Sequence, residues 1–361
     1  MKKTDIKLIF DNNISFNEAG KHVRDGLSAS FRSGDNLWLS CDERSSIERL
    51  KLTGTNTFSE HQSFDLNKYL KLPAGANCEI DIEGMGHSNH YLWLVGSHSR
   101  ARKKPRKEES PAKQIKRLAK IKDDPNRYLL ARIPLILDKE TGNYELFKSC
   151  PNPDEPTEQL TAAQLEIRKD GNELLDAIAD DIHFKDFLKI PGKDNGFDIE
   201  GLAVSNNRIF IGVRGPVLRG WASILEVQVK ETEEGYFKLK SDKHDRLYKK
   251  HFLHLEGMGV RELRIHGHDL LILAGPTMDL DGTIAVYRWP NALLQEDETI
   301  VHRQELKRLF DVPHGSGATS GKDKAEGMAI FDQKHVLMVH DSPADDRKTD
   351  ENSVIADLYT L

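Results

Sequence analysis

One short pattern recurs along this chain and constrains its fold more than any other feature: an acidic residue and a glycine open an apolar run, and a second apolar strand follows. The clearest copies begin at Glu83-Gly84, Glu200-Gly201 and Glu326-Gly327. Weaker copies begin at Asp25-Gly26 and Glu256-Gly257. Recurrence at a spacing of roughly fifty to seventy residues is typical of repeat architectures in which each repeat is one small structural unit.

The repeats predict an all-β fold, a β-propeller of five blades. The interval from Gly84 to Gly201 is about twice that from Gly201 to Gly257, so a hidden sixth blade is the alternative. Residues 5–10 form one alternating strand that belongs to no repeat. Pairing this strand with the C-terminal strand, residues 353–359, would close the propeller and remove two open sheet edges.

Two insertions interrupt the predicted blades. Residues 100–127 contain twelve Lys or Arg and four Asp or Glu, a local net charge of +8 (12 − 4) in a chain whose net charge is −6. Residues 114–121 within this basic insertion are predicted to form a short helix. Residues 157–190 contain apolar residues at helical spacing from Leu174 until Pro191 stops the pattern, which predicts a short helical insertion.

The basic insertion has two interpretations. Residues 100–122 could be an arm that binds nucleic acid or another polyanion. Charge runs are more often solvated loops, however, and no aromatic residue lies between Arg100 and Arg127 to stack on bases. The sequence therefore favours a solvated loop over a nucleic-acid partner.

Composition limits the protein class without naming a partner. With 38% hydrophobic and 30% charged residues, the chain resembles a globular protein, and the repeats predict a single domain over residues 1–361. No segment is apolar enough for a membrane span or a targeting signal, so no membrane partner is expected. Cys41, Cys78 and Cys150 are too widely spaced for a disulfide framework or a zinc knuckle. A cytoplasmic protein is the expectation.

The repeated acids predict a carboxylate ring near the propeller axis. The expected members are Asp25, Glu83, Glu200, Glu256 and Glu326. Carboxylates at close range must take up protons, pair with arginine or bind a cation, and oxygen-only ligation suits calcium or magnesium. Arg214 and Arg261 could neutralise part of the ring instead. A third interpretation is that each acid accepts backbone N–H bonds from the next blade. All three stay open.

The ends of the second strands supply further candidate residues, because the chain leaves each of them toward one face. We predict catalytic roles for His98, Arg100, Arg214 and Asp341, and binding roles for Asp42, Arg44, Arg261 and His340. Histidine is the usual acid-base group, guanidinium groups suit phosphate or carboxylate, and a carboxylate can orient a histidine. GxSxG, Walker, GxGxxG and HExxH motifs are absent, which lowers the weight of those reaction classes.

Several of these segments together resemble the bacterial family known as domain of unknown function 3616. They are residues 96–100, 198–203, 212–218, 257–263, 273–276 and 325–328. The resemblance covers most of the chain except the extreme N-terminus and the basic insertion. It implies a propeller related to phytase-like and esterase-like propellers, with no established activity. The pattern departs at Asp25, where clearer copies have Glu, and at Glu256, which precedes a Gly-x-Gly-x-Arg sequence.

The leading hypothesis is a cytoplasmic propeller that binds a divalent cation and an anionic small molecule at its central channel. Metal-dependent phosphoester hydrolysis is the reaction that such a site would perform. The alternative is a non-catalytic propeller that serves as a protein-interaction platform, a use that the fold supports equally.

Overall fold

A computed structural model describes residues 3–41, 44–75, 79–233, 235–278, 280–315 and 319–361. Asp42, a predicted binding residue, and Cys78 lie outside these residues. Strands dominate the described chain, and its α-helices are α1 (Pro111–Leu118) and α2 (Glu173–Ile178). The all-β prediction is confirmed.

The N-terminal half of the chain contains two groups of antiparallel strands. Its strands are β1 (Lys3–Ile9), β2 (Leu27–Ser33), β3 (Asn36–Cys41), β4 (Ser46–Gly54), β5 (Thr57–Asp65), β6 (Ile82–Ser88), β7 (Tyr91–Gly96), β8 (Ala101–Arg102), β9 (Ile121–Lys122), β10 (Leu130–Leu137), β11 (Tyr144–Leu146), β12 (Ser149–Pro151), β13 (Gln159–Thr161) and β14 (Ala163–Leu165). Strands β2 to β5 pair in sequence order, and β6, β7, β10 and β14 form the second group. Strands β8 and β9 pair inside the basic insertion.

The C-terminal half continues the same pattern. Its strands are β15 (Asp198–Ser205), β16 (Arg208–Leu218), β17 (Trp221–Val227), β18 (Val229–Glu231), β19 (Tyr236–Leu239), β20 (Tyr248–Leu253), β21 (Gly259–His266), β22 (Asp269–Gly275), β23 (Ile284–Trp289), β24 (Thr299–Val301), β25 (Lys307–Val312), β26 (Lys324–Asp332), β27 (His335–Asp341) and β28 (Ser353–Thr360). Strands β15, β16, β17 and β20 pair in order, as do β21, β22, β23 and β25, and β26, β27 and β28. Strand β19 instead runs parallel to β14 of the second group.

The two ends of the chain meet in one sheet. Strand β1 pairs antiparallel with β28, so that Ile6 lies opposite Ala356 and Leu8 lies opposite Val354. The other edge of β1 runs parallel to β5. Residues 3–9 therefore pair with residues 353–359. The side chains of Ile6 and Leu8 are fully buried, so apolar burial accompanies the pairing.

The first strands of the groups, β2, β6, β15, β21 and β26, lie side by side, and β26 in turn contacts β2. We call these five the inner strands. The apolar core consists of clusters between successive groups, for example Trp93 with Val213 and Phe210 with Ile272. The sheets therefore pack face to face around a common axis, which is a propeller-like arrangement.

Both insertions differ in detail from the sequence prediction. Helix α1 begins at Pro111, a residue favoured in a first turn, and ends at Leu118 because Ile121 joins a strand. In residues 157–190 only α2 is an α-helix: β13 and β14 precede it, and turns follow it. No described helix has the length and hydrophobicity needed to cross a bilayer.

Candidate functional site

A β-bulge occurs at the same level of each inner strand. At this level, one inner-strand residue has no residue opposite it on the neighbouring strand. The extra residues are Ser28, Glu83, Glu200, Arg261 and Glu326. A bulge turns a side chain out of the regular alternation of a strand and is common beside functional sites. The bulges thus define one level of the ring, and we call these residues the bulge residues.

Two of the predicted ring acids are not bulge residues. Asp25 ends a short 3-10 turn and pairs with Lys348, with 2.7 Å between its Oδ1 and the lysine Nζ. Glu256 accepts a 2.9 Å hydrogen bond from the hydroxyl of Tyr287 and pairs with Arg303 at 2.6 Å. Their structural counterparts are Ser28 and Arg261. The ring that the sequence predicted as five acids therefore contains three acids, one serine and one arginine.

Arg214 lies at the centre of the charged cluster. Its two Nη groups donate hydrogen bonds to Asp198 and Glu200. Gly259 allows the neighbouring strand to approach, since a Cβ there would lie 1.9 Å from the carbonyl oxygen of Arg214. Burial lowers the pKa of Arg214, but the adjacent carboxylates outweigh burial and raise it above its ordinary value. Arg214 is thus a fixed positive charge among buried acids.

Arg261 extends the cluster to the next inner strand. Its Nη2 donates to Glu326, and its Nε lies 3.5 Å from Oε2 of Glu200. Burial raises the pKa of Glu326 to about 7, although Arg261 opposes that shift. Burial likewise raises the pKa of Asp198 to about 6 against the effect of Arg214. Protons and guanidinium groups therefore share the neutralisation of these acids.

A cavity of about 360 Å³ opens at this cluster. Its charged lining residues are Asp81, Glu83, Arg100, Arg102, Lys103, Lys104, Arg127, Lys193, Asp194, Asp198, Glu200, Arg214 and Glu326. A second cavity of about 190 Å³ shares Lys104, Lys193, Arg214 and Glu326 with it and reaches Arg261 and Asp341. We call the two together the axial cavity.

Negative and positive side chains lie at different depths in the axial cavity. The acids of the inner strands are mostly buried, Asp198 and Glu200 almost completely, whereas Lys104 and Lys193 are exposed. A negative floor, partly neutralised by arginine, therefore lies beneath a positive rim. A ligand that enters from solvent meets the positive rim first.

Ion pairs attach the rim to the rest of the site. Arg102 of the basic insertion pairs with Asp194 at 2.6 Å, and within the insertion Arg100 pairs with Asp123 at 3.0 Å. At the end of the same insertion, Arg127 pairs with Asp81 at 3.1 Å. The basic insertion is therefore joined to the mouth of the axial cavity, which the sequence did not predict.

The opposite end of the axis has different chemistry. There, Nη1 of Arg264 donates a 3.1 Å hydrogen bond to the carbonyl of Leu202, and Nη2 donates one to the carbonyl of Ser30. Both Nη groups also donate to the carboxylate of Glu262. One side chain thus links three inner strands. A mainly apolar cavity of about 200 Å³, lined by residues such as Phe31 and Leu202, lies beside it. The charged cluster is confined to one end of the axis.

His98 is buried away from the axial cavity lining. Its Nδ1 lies 2.8 Å from the carbonyl oxygen of Gly96, and its Nε2 lies 2.8 Å from the amide nitrogen of Asn172, which caps α2. Burial lowers the pKa of His98 to about 4, so the ring is neutral at pH 7. Both ring nitrogens are engaged with protein groups. We therefore leave His98 out of the proposed site.

His340 and Arg44 also lie elsewhere. His340 is buried, with Nε2 3.5 Å from Oδ2 of Asp357, and burial lowers its pKa to about 4. Arg44 donates 2.5 Å and 3.1 Å hydrogen bonds to the carbonyls of Ser15 and Lys21. Of the predicted residues, the structure brings together Glu83, Glu200, Glu326, Arg100, Arg214, Arg261 and Asp341 at the axial cavity.

Several charged residues of the site were not predicted, among them Asp81, Arg127, Lys193 and Asp198. A sequence signal existed for the two acids. Asp81 and Asp198 stand two residues before Glu83 and Glu200 in identical Asp-Ile-Glu-Gly segments. In both segments the aspartate and the glutamate line the axial cavity together. Arg127 and Lys193 are brought to the site by short 3-10 turns outside the repeats and carry no comparable pattern.

Residues 26–357 match the family described as "Protein of unknown function (DUF3616)". The chain belongs to this family. No curated protein matches the chain. Among solved structures, it is similar to glutaminyl cyclase from Myxococcus xanthus, with 9% identity over 99% of this chain and 97% of that chain and a TM-score of 0.42. The PQQ-bound aldose sugar dehydrogenase from Streptomyces coelicolor has 10% identity over 100% and 99% of the two chains and a TM-score of 0.37. Such distant similarity carries no functional argument for the family.

Proposed function

We propose that the protein is a cytoplasmic five-bladed β-propeller, closed by the pairing of β1 with β28, whose axial cavity binds a small anionic molecule. The observation that carries this proposal is the hydrogen bonding of the Arg214 guanidinium group. Its two Nη groups are used by Asp198 and Glu200, while its buried Nε finds no hydrogen-bond acceptor among the described residues. A buried donor without a partner is costly, by about 1–3 kcal/mol. Arg214 lines both parts of the axial cavity, so an oxyanion bound there would lie beside this positively charged side chain.

The rim favours the same ligand class. Lys104 and Lys193 are exposed beside Arg214 in both parts of the axial cavity. Charge-assisted hydrogen bonds from such groups to carboxylate or phosphate are about twice as strong as neutral ones. A volume of about 360 Å³ lies in the range of small-molecule sites. The ligand class is therefore a small carboxylate or phosphate.

Calorimetric titration with sulfate, citrate and a hexose phosphate tests this proposal. We expect Lys193→Gln to weaken binding of the preferred anion at least several-fold, since Lys193 is exposed and its loss should not unfold the protein. Lys139→Gln, an exposed lysine outside the cavity lining, is the matched control and should change nothing. Absence of binding by every anion, or equal losses in both variants, would overturn the proposal.

A second candidate function is phosphoester hydrolysis that depends on a divalent cation bound in the axial cavity. It is favoured by the carboxylates of Asp81, Glu83, Asp198, Glu200 and Glu326 around the same cavity. Among the described residues, however, no group of three or more His, Cys, Asp or Glu is arranged to hold a metal ion. Metal analysis of the purified protein and a phosphoester screen with calcium and with magnesium separate the candidates. Stoichiometric metal with metal-dependent turnover would favour the second candidate.

The protein-interaction platform is the remaining alternative. Its outcome in the same experiments is distinct: no anion titrates the axial cavity, no phosphoester is hydrolysed, and Lys193→Gln has no effect. Stable co-purification of one defined protein partner would then be required to support it.

A further inference from the structure

The basic insertion exposes large aliphatic side chains as well as charge. Ile115 is 69% exposed, Leu118 45% and Ile121 43%. Ile115 and Leu118 lie three residues apart on α1 and therefore share a face. Exposed lysines surround them in sequence: Lys113, Lys116, Lys120 and Lys122. Clustered exposed apolar residues mark interaction sites more often than single ones do.

The insertion is an ordered projection. Strands β8 and β9 form its stem. Arg102 donates a 2.6 Å hydrogen bond to the carbonyl of Leu118, and Arg117 donates a 2.8 Å hydrogen bond to the carbonyl of Lys104. Arg102 also pairs with Asp194 next to the axial cavity. Ile115 and Ile121 are therefore carried by an ordered projection, in which Arg102 and Arg117 are used by these contacts while the lysines stay exposed. Leu118, although 45% exposed, also lines the axial cavity.

We propose that residues 101–122 dock the protein onto an anionic phospholipid surface. A basic helix with an aliphatic face lies in the membrane interface, where its apolar side chains enter the acyl boundary and its lysines meet lipid phosphates. The net charge of +8 over residues 100–127, in a chain of net charge −6, supplies the charge complementarity. Such docking needs no spanning helix, so the absence of one among the described helices does not oppose it.

Lipid is a better occupant than nucleic acid on two grounds. No aromatic residue lies between Arg100 and Arg127, so bases have nothing to stack on. Exposed isoleucine and leucine contribute little to phosphate binding, whereas interfacial insertion uses them directly. A single short helix gives only modest membrane affinity, so binding should require a substantial fraction of anionic lipid and should weaken with salt.

Flotation of the full chain with vesicles tests the proposal. Vesicles of phosphatidylcholine containing about 40% phosphatidylglycerol should carry the protein upward, and pure phosphatidylcholine vesicles should not. Ile115→Ser/Ile121→Ser should reduce the bound fraction several-fold. The matched control is Ile182→Ser/Ile300→Ser, which removes two isoleucines that are 77% and 53% exposed outside the insertion, and it should bind like the wild type.

A charge variant separates lipid insertion from simple polyanion attraction. Lys113→Gln/Lys116→Gln/Lys120→Gln should also lose vesicle binding, so both kinds of variant are needed. If only the charge variant loses binding, or if the protein binds single-stranded RNA and not the anionic vesicles, the proposal is overturned. Neither isoleucine lines the axial cavity, so anion titration of the same variants shows whether that site is independently intact.

Discussion

Arg261 occupies, in its own inner strand, the bulge position that Glu326 occupies in the next, and the two side chains form an ion pair. Glu200, the bulge residue on the other side, lies 3.5 Å from Nε of Arg261. One guanidinium therefore holds two carboxylates that come from different sheets. Because an arginine occupies the bulge position between Glu200 and Glu326, these two carboxylates can lie at one level without severe repulsion.

Removing that guanidinium should destabilise the protein strongly. Arg261→Met leaves Glu200 and Glu326 buried without their shared partner, and loss of one member of a buried pair costs about 3–5 kcal/mol. Urea denaturation measures the change in the free energy of unfolding. Adding Glu326→Gln should recover part of the loss, because the stranded charge is then gone. Lys7→Met, which breaks the half-exposed Lys7–Asp350 pair, should cost less than about 1 kcal/mol.

The pH dependence of anion binding should follow Glu326. Burial raises its pKa to about 7, so Glu326 gains a proton as the pH falls from 8 to 6 and the axial cavity loses negative charge. Sulfate, which does not titrate in this range, should then bind several-fold more tightly at pH 6 than at pH 8. Glu326→Gln should remove the part of the profile between pH 8 and 7 and leave the part near pH 6, where Asp198 with its pKa of about 6 gains a proton. Glu296→Gln, at an exposed site, should leave the whole profile unchanged. An unchanged slope in the first variant would refute the assignment.

The same raised pKa has a consequence for stability. Between the ordinary glutamate pKa, about 4.5, and about 7, the folded protein binds more protons at Glu326 than the unfolded chain does. This group therefore contributes stability that is fully present at low pH and is lost as the pH rises through that window. Glu326→Gln should remove this part of the slope in denaturation measured at several pH values.

Much of the architecture could be predicted because the residues of the repeat are those that the packing of the strands requires. Glycine recurs where inner strands approach each other: a Cβ on Gly84 would lie 2.7 Å from Cβ of Leu202 in the next group. The apolar runs are typical of strands that are buried on both faces between two sheets. The N-terminal strand was identifiable because it belonged to no repeat and needed a partner.

The ring residues of the two weak copies could not be predicted in the same way. Acid-glycine pairs at Asp25 and Glu256 look like the motif, yet the bulge residues lie three and five residues later, at Ser28 and Arg261. A two-residue match does not fix register, because the preceding turns differ in length. Register is set by the partner strand, and no local sequence signal replaces that information.

Gly84→Ala should show how tightly the inner strands pack. The added methyl would lie 2.7–2.9 Å from atoms of Leu202 and Val95, and two of these atoms belong to the backbone or to a Cβ that cannot move away freely. Overpacking of this kind costs about 1–3 kcal/mol. Gly54→Ala, where the nearest atom would be 3.8 Å away, is the control and should change the unfolding free energy little. Equal effects would mean that the inner strands can separate.

His98→Ala should affect stability and leave ligand binding intact. The substitution removes the ring nitrogen beside the side-chain amide of Asn172, which caps α2. That amide keeps its hydrogen bond to the carbonyl of Tyr128 but loses its second partner, and a buried donor left unpaired costs about 1–3 kcal/mol. Thermal melting should therefore shift down while the sulfate affinity stays within twofold of the wild type, a small change on the scale of about 0.4 kcal/mol. A large loss of anion affinity without a change in melting would restore His98 to the site.

Deleting residues 1–10 should abolish cooperative unfolding, because β1 is paired on both of its edges. Its removal would expose the backbone of β28 and of β5 and would remove the fully buried side chains of Ile6 and Leu8. Exposed strand edges with apolar neighbours promote aggregation. Size-exclusion chromatography and calorimetry should show aggregates and no sharp transition. A synthetic peptide of residues 3–10 added during refolding should restore the transition, whereas the same peptide with Ile6→Asp/Leu8→Asp should not. A truncated chain that melts like the full one without any peptide would show that β1 does not hold the two ends together.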